Sequence, residues 1–416
     1  MTLRELSFAF HPLSFLDSQR TRPDKLAELC PFPRRKVLVW QPEALGQIFR
    51  SERYMRLDGS STLEPLVGRH SLLFANGPRH VAYRKVIGSR LRGRELASQY
   101  ETIRSVTEST VDLLRPGTVI DVPEWTRALT LRIISLIIFG RIDQPLLTRF
   151  TDWTHSALGG RQRALVYRHF RPPTGFPSPW RTFLSERDLL RQEILDAAKE
   201  SDGTGLIGLL VSGQPPLGHL GEDELVDQVL SMLFAGHETT ASATTSALYW
   251  IARDDRLLAD IRDELAAGDA TFPLLEAVCQ ETLRISPPAM VAGNRVLTRE
   301  ITVLGQRMAA GTRLTPCIYL AHSQPDSFPD PHRFDPTRFL GNRLSAHHYL
   351  PFGGGTRRCL GADLAMLEMR TILATLLRRW TLRHIGGTVA KFTTRGPALG
   401  FGPALPMVVQ PTRGNG

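Results

Sequence analysis

Four cysteines in 416 residues, Cys30, Cys279, Cys317 and Cys359, form no Cys-x-x-Cys pair. That excludes a locally written zinc or iron–sulfur site and a disulfide framework, and it points to a reducing compartment. Long hydrophobic runs are missing too. The most apolar stretch, LTLRIISLIIFG at 129–140, carries Arg132 and falls short of the roughly 20 apolar residues a membrane span needs. The first 25 residues are interrupted by Pro12, Asp17 and Arg20 and hold no signal-peptide core. No repeat, low-complexity tract or Gly/Ser linker divides the chain. These absences predict a soluble cytoplasmic protein without a membrane anchor.

Lysine is scarce: Arg supplies 46 of the 51 basic residues, and against 41 acidic residues the formal net charge is +10. Such a surplus anticipates an anionic partner, and the Arg bias is equally compatible with GC-rich coding. No segment carries a nucleic-acid-binding motif, so no nucleic-acid partner is expected. With 42% hydrophobic and 22% charged residues the chain has the composition of a folded globular protein. Its length alone would suggest two or three domains.

Helical periodicity dominates what is present. It predicts helices at Tyr100 to Leu114, Val122 to Phe139, Trp180 to Lys199, Glu222 to Ala252, Arg256 to Ala266, Leu274 to Ile285 and Leu360 to Trp380. Strand-like pieces are shorter: Val37 to Trp40, Arg295 to Leu297, Ile301 to Val303, and the part after Trp380. Gly159 to Pro179 reads as a long lid-like loop. The fold class is mainly α with a small β component.

The helix beginning at Glu222 is long, about 48 Å at 1.5 Å per residue. Its centre, Phe234-Ala235-Gly236-His237-Glu238-Thr239-Thr240, puts Gly, an acid and two hydroxyls where each opposes helix propensity. Two readings compete there: a kink with a solvated Glu, or a distorted turn presenting an acid and an alcohol to a ligand.

Near the C-terminus, Phe352-Gly353-Gly354-Gly355-Thr356-Arg357-Arg358-Cys359-Leu360-Gly361 leads into a helix. Glycines let the backbone pass close to a flat ligand and turn amides inward. Cys359 stands at the helix start, where the dipole favours thiolate. No Lys-Ser/Thr follows the glycines, so a nucleotide P-loop is not supported. Upstream, Glu281 and Arg284 lie three apart on one helix face, and with Arg333 of Pro331-His332-Arg333-Phe334 they can form a buried charge triad.

Taken in order, AGHETT, ETLR, PHRF and FGGGTRRCLG resemble the signatures of the cytochrome P450 family, the haem-thiolate monooxygenases. The last fits Phe-x-x-Gly-x-Arg-x-Cys-x-Gly at every fixed position. The resemblance implies a single domain over residues 1–416, with haem between the long distal helix and the proximal Cys-loop helix. It implies Cys359 as thiolate ligand to the haem iron, Phe352 packed beside it, and Gly355 and Gly361 permitting close approach. Glu238 and Thr239 would be the proton-delivering acid–alcohol pair, and Glu281, Arg284 and Arg333 the structural triad. His80, Arg84, Arg295 and Arg357 would hold the haem propionates.

The resemblance further implies haem b and O2 as cofactors. NAD(P)H would act only indirectly, through an acidic ferredoxin and a ferredoxin reductase, because the 57 residues after Cys359 leave no room for a fused reductase. A monomer is expected. Arg84, Lys85, Arg90, Arg92, Arg94, Arg358, Arg370, Arg378 and Arg379 would form a ferredoxin-docking face, or simply solvated charge. The pocket would be lined by Leu72, Leu73, Phe74, Leu233, Phe234, Ala235, Ala289, Met290, Val291, Ala292, Ala398, Leu399 and Phe401. Those side chains suit a hydrophobic small-molecule substrate, such as a terpenoid, polyketide or modified peptide, hydroxylated or epoxidised in secondary metabolism. Arg161, Arg163 and Arg168 could add a carboxylate anchor. The alternative is a non-hydroxylating oxidation on the same fold, such as C–C coupling, ring formation or desaturation, or a peroxide-using reaction.

Overall fold

The computed structural model describes residues 2–31, 33–58, 63–158, 178–268, 271–341, 344–385, 390–396, 398–402 and 404–412. It is 56% helical with a small sheet component, as the periodicity predicts. Val122–Phe139 is helical over the predicted range, and the predicted helix at Trp180 to Lys199 begins one residue earlier, at Pro179. The long helix spans Glu222–Ile251 and is unbroken through its polar centre. Its glycine has a packing reason: a Cβ on Gly236 would stand 2.7 Å from Ile134 Cγ1.

The chain forms two compact units. One, comprising residues 59–106 and 128–238, is helical, with Gly77–Ser89, Gln144–Leu158 and Pro179–Lys199 among its elements. Aromatic packing holds the latter two together: Trp153 stacks on Phe183 at 5.0 Å and donates through Nε1 to the Phe183 carbonyl at 3.0 Å.

The other unit, residues 1–58, 107–127 and 239–416, carries the strands. Its five-stranded sheet runs in the order Leu26–Cys30, Lys36–Val39, Arg313–Pro316, Asn294–Leu297 and Met55–Asp58. All pairings are antiparallel except Lys36–Val39 with Arg313–Pro316. A three-stranded sheet joins Val119–Asp121, Pro406–Pro411 and Trp380–His384. Among the apolar clusters of this unit, one lies around Trp40, Leu45 and Leu314, and another packs Tyr249 and Leu283 with Leu373 of the helix Ala362–Arg379.

Candidate functional site

The Gly-rich segment folds as a loop with a short 3-10 turn, Gly355–Arg357, ahead of the helix Ala362–Arg379. The Cys359 N–H donates to the Phe352 carbonyl at 2.8 Å and closes the loop, while Gly353 N–H donates to Leu350 O at 2.9 Å. This closure leaves Cys359 exposed, whereas Cys279 and Cys317 are buried. Burial pushes both of their thiols up, Cys317 to about 12, so they stay protonated and inert.

The three loop glycines and Gly361 answer to different neighbours. A Cβ on Gly354 would stand 2.4 Å from the Phe49 ring, and one on Gly355 2.4 Å from the Glu52 carboxyl. Gly353 and Gly355 both have φ of +68°, a conformation that strains residues with a side chain. Around Gly361, by contrast, no described atom lies within 4 Å of the Cβ position. Gly361 is the N-cap of the helix Ala362–Arg379, a position that favours glycine, and the open space two residues after an exposed thiol has room for a flat group ligated by sulfur. The donor set fits haem in kind as well: one exposed Cys, with guanidinium groups in the same unit.

Arg295 is one of those groups, and it is 2% exposed. Its Nε and Nη2 donate to Glu52 Oε1 at 3.2 and 3.0 Å, Nη2 also to Gly354 O at 2.9 Å, and Nη1 to Gly293 O at 2.6 Å. The other Glu52 oxygen, Oε2, accepts from the Thr356 N–H at 2.5 Å and the Thr356 hydroxyl at 2.7 Å. Glu52 follows a short helix, Pro42–Arg50, in Ser51-Glu52-Arg53-Tyr54. Nothing in that local sequence marks it, since its partners lie 243 and 304 residues away.

Along the helix Glu222–Ile251, Met232, Ala235, Gly236, Thr239 and Ser242 keep accessible surface while their neighbours are buried. The spacing of three and four makes this one face, and its residues are small or polar apart from Met232. Glu238 is turned off that face and buried beside His237, whose Nε2 lies 3.5 Å from Glu238 Oε1. His237 Nδ1 is 2.8 Å from the Leu233 carbonyl, which can only accept, so Nδ1 carries the hydrogen. The acid and the alcohol are thus adjacent in sequence and presented differently.

The charge triad needs a correction. Arg284 makes a bidentate pair with Glu281, Nε to Oε2 at 2.6 Å and Nη2 to Oε1 at 2.8 Å, and it donates to the carbonyls of His322, Pro331 and Arg333. The Arg333 side chain is exposed, and only its backbone takes part. The second cation at Glu281 is Arg338, 3.5 Å from Oε1. Pro336-Thr337-Arg338-Phe339 repeats the Pro-x-Arg-Phe pattern five residues on, and the 3-10 turn over Pro336–Phe339 carries Arg338 to Glu281.

The expected pocket residues divide as well. Met290, Leu399 and Phe401 are core: Leu399 is 1% exposed, and Phe401 lies 4.5 Å from both the Tyr249 and Phe392 rings. Val291 and Ala292 are half-buried, with the Ala292 methyl 3.7 Å from the Gly353 Cβ position. In the helical unit Leu233 and Phe234 are buried, Ala235 and Leu73 exposed, and Leu72 and Phe74 half-buried. Gln228 fastens the segment before Phe74 by accepting from Leu72 N–H at 2.9 Å and donating to His70 O at 2.6 Å.

On the helix Gly77–Ser89, His80 is buried and Arg84 half-buried; Arg357 closes the 3-10 turn of the loop. Arg161, Arg163 and Arg168 lie outside the described residues. Of the basic cluster, Arg90, Arg370 and Arg379 are ion-paired with Glu95, Glu276 and Asp112, so part of that charge is balanced locally.

The family model described as Cytochrome P450 matches residues 6–408. Among curated proteins, cyclooctat-9-en-7-ol 5-monooxygenase of Streptomyces melanosporofaciens is 30% identical over 96% of this chain and 91% of its own. The protein designated cytochrome P450 135B1 of Mycobacterium bovis is 34% identical over 82% of this chain and 75% of its own. Among solved structures, retinoic-acid-bound cyanobacterial CYP120A1 aligns with a TM-score of 0.86 at 22% identity, covering 98% of this chain and 96% of that one. The haem domain of cytochrome P450DA aligns at 0.82 and 20% identity, covering 96% and 93%. At those identities the solved structures establish the fold.

Proposed function

The chain belongs to the cytochrome P450 family and is an oxidoreductase of the monooxygenase kind, and on that premise we propose that it oxygenates a hydrophobic natural product with electrons from an acidic ferredoxin. The family implies haem and O2, a small-molecule substrate, and electrons that reach the protein from NAD(P)H through separate partners. Among the described residues no helix is long and apolar enough to cross a membrane. The proposal extends to haem b, a single domain, a monomer and a cytoplasmic location.

Cys359 would hold the iron through its thiolate, with the loop closed behind it by the hydrogen bond to Phe352 O. His80, Arg84, Arg295 and Arg357 would meet the propionates, Arg295 while also donating to Glu52, Gly354 and Gly293. Haem held there would supply the redox chemistry by which O2, two electrons and two protons give an oxygenated substrate and water. Thr239 offers its hydroxyl on the accessible face of the long helix and would hold a proton-carrying water there. Glu238, buried beside His237, would pass protons toward that hydroxyl. Ala235, small and exposed, leaves room on the same face.

The apolar surface of Leu72, Leu73 and Phe74 in one unit, and of Val291 and Ala292 in the other, supports a hydrophobic substrate. The name of the Streptomyces relative, an oxygenase of a terpenoid alcohol, supports the terpenoid class among the three.

The single observation carrying the reading is an exposed Cys359 two residues before a glycine facing open space. The reduced carbon monoxide complex should show the long-wavelength thiolate band, and Cys359→Ser should abolish it. A band that survives the substitution would end the assignment.

A further inference from the structure

We propose that Glu52 is a positioning residue for the thiolate loop, a carboxylate that ties the loop to Arg295 and thereby secures the retention of haem. The inference rests on the haem-thiolate reading above. The two Glu52 oxygens face different donors. Oε1 takes two hydrogens from Arg295, and Oε2 takes the backbone and hydroxyl hydrogens of Thr356. Arg295 closes the circuit by donating to Gly354 O. The stretch 354–356 is therefore held at both ends by one buried ion pair, three residues before Cys359.

Glycine at 355 is what admits the clasp, because a Cβ there would overlap the Glu52 carboxyl at 2.4 Å. Phe49 backs it from the other side, stacking under Arg295 at 5.4 Å and filling the space beside Gly354. Charge follows the same arrangement. Four of the five guanidinium hydrogens of Arg295 are committed to this chain, two of them to an anion 8% exposed. Arg295 is thus paired with Glu52 and helps to hold the loop. Groups that orient a ligating residue from behind commonly matter about 10- to 100-fold for retention of the bound metal.

The test uses the full-length haem-loaded protein and three variants: Glu52→Gln, Thr356→Val and the double substitution. Two readouts are taken: transfer of haem to excess apomyoglobin, and the fraction of the reduced carbon monoxide complex in the thiolate rather than the thiol form. Glu52→Gln keeps the size but faces an amide N–H₂ toward hydrogen-bond donors. It should speed haem transfer about 10- to 100-fold and convert part of the complex to the thiol form. Thr356→Val should move both readouts the same way by less, and the double variant should match Glu52→Gln, because Thr356 acts through that carboxylate.

A Glu52→Gln protein that melts earlier yet keeps the wild-type transfer rate and band would reduce Glu52 to general stability and overturn the proposal. If Glu52→Gln does not fold, Thr356→Val decides alone, and wild-type values there overturn it equally. A wild-type protein without a thiolate band would instead refute the haem-thiolate reading itself.

Discussion

Ile134 occupies the space that a side chain on Gly236 would need: its Cγ1 and Cδ1 stand 2.7 and 2.8 Å from the Cβ position, in a residue 4% exposed. The glycine in the middle of the long helix is thus explained by a neighbouring helix. Gly236→Ala gains about 1 kcal/mol of helix propensity but overpacks a closed site at roughly 1–3 kcal/mol. The overpacking should win, lowering the urea midpoint, and Ile134→Val should restore part of the loss. An alanine variant as stable as wild type would show that Ile134 moves aside freely.

Thr239 and Glu238 should separate by phenotype, because one faces the accessible side of the helix and the other is buried beside His237. Thr239→Ala should raise the hydrogen peroxide released per NAD(P)H consumed, with Thr239→Ser near wild type. Glu238→Gln should slow turnover by about 100-fold without altering the carbon monoxide spectrum. Unchanged peroxide yield in Thr239→Ala would remove the hydroxyl from proton delivery.

The Glu281 cluster predicts an ordering among arginines. Arg333→Ala removes an exposed side chain and should change stability by no more than about 0.5 kcal/mol. Glu281→Gln strips the anion from buried Arg284 and should cost about 3–5 kcal/mol, with Arg338→Ala in between. Thermal melting of the three variants gives the order, and a loss at Arg333 equal to that at Arg338 would contradict it.

His322 makes stability sensitive to acid. Its Nε2 accepts from the Leu350 N–H at 2.9 Å, and burial, reinforced by the Arg284 charge, pushes the imidazole down to about 3 from 6.5. A base whose folded value is depressed contributes stability above its unfolded value and loses it as pH falls below about 6.5 toward 3, because only the unfolded state then takes the proton. The loss approaches about 1.4 kcal/mol per pH unit inside that window. Urea unfolding at several acidic pH values should show a steeper decline for wild type than for His322→Gln; equal slopes would place the sensitivity in other groups.

Much of the fold was legible because helix periodicity is a local property: Val122–Phe139 and Pro273–Ile285 follow directly from which residues recur at three and four. The Cys359 loop was legible for a similar reason, since glycines, a thiol and a helix start are contiguous. Arg338 was hidden by a repeat: two Pro-x-Arg-Phe copies five residues apart are equivalent in sequence, and only the turn at Pro336–Phe339 selects the second. Met290, Leu399 and Phe401 look like pocket residues by composition, yet they pack against Cys317, Tyr249 and Phe392. An apolar side chain does not announce whether protein or ligand will cover it.

The sequence by itself determined the helical class, the thiol at the head of its helix and the acid–alcohol pair within the long one, because each depends on residues near one another along the chain. Which face of that long helix stays open, which arginine answers Glu281, and that Glu52 clasps the loop from 304 residues away were decided by tertiary structure alone. Burial and the pairing of buried charge are properties of neighbours in space, and a buried carboxylate finds its partners only when distant segments close around it.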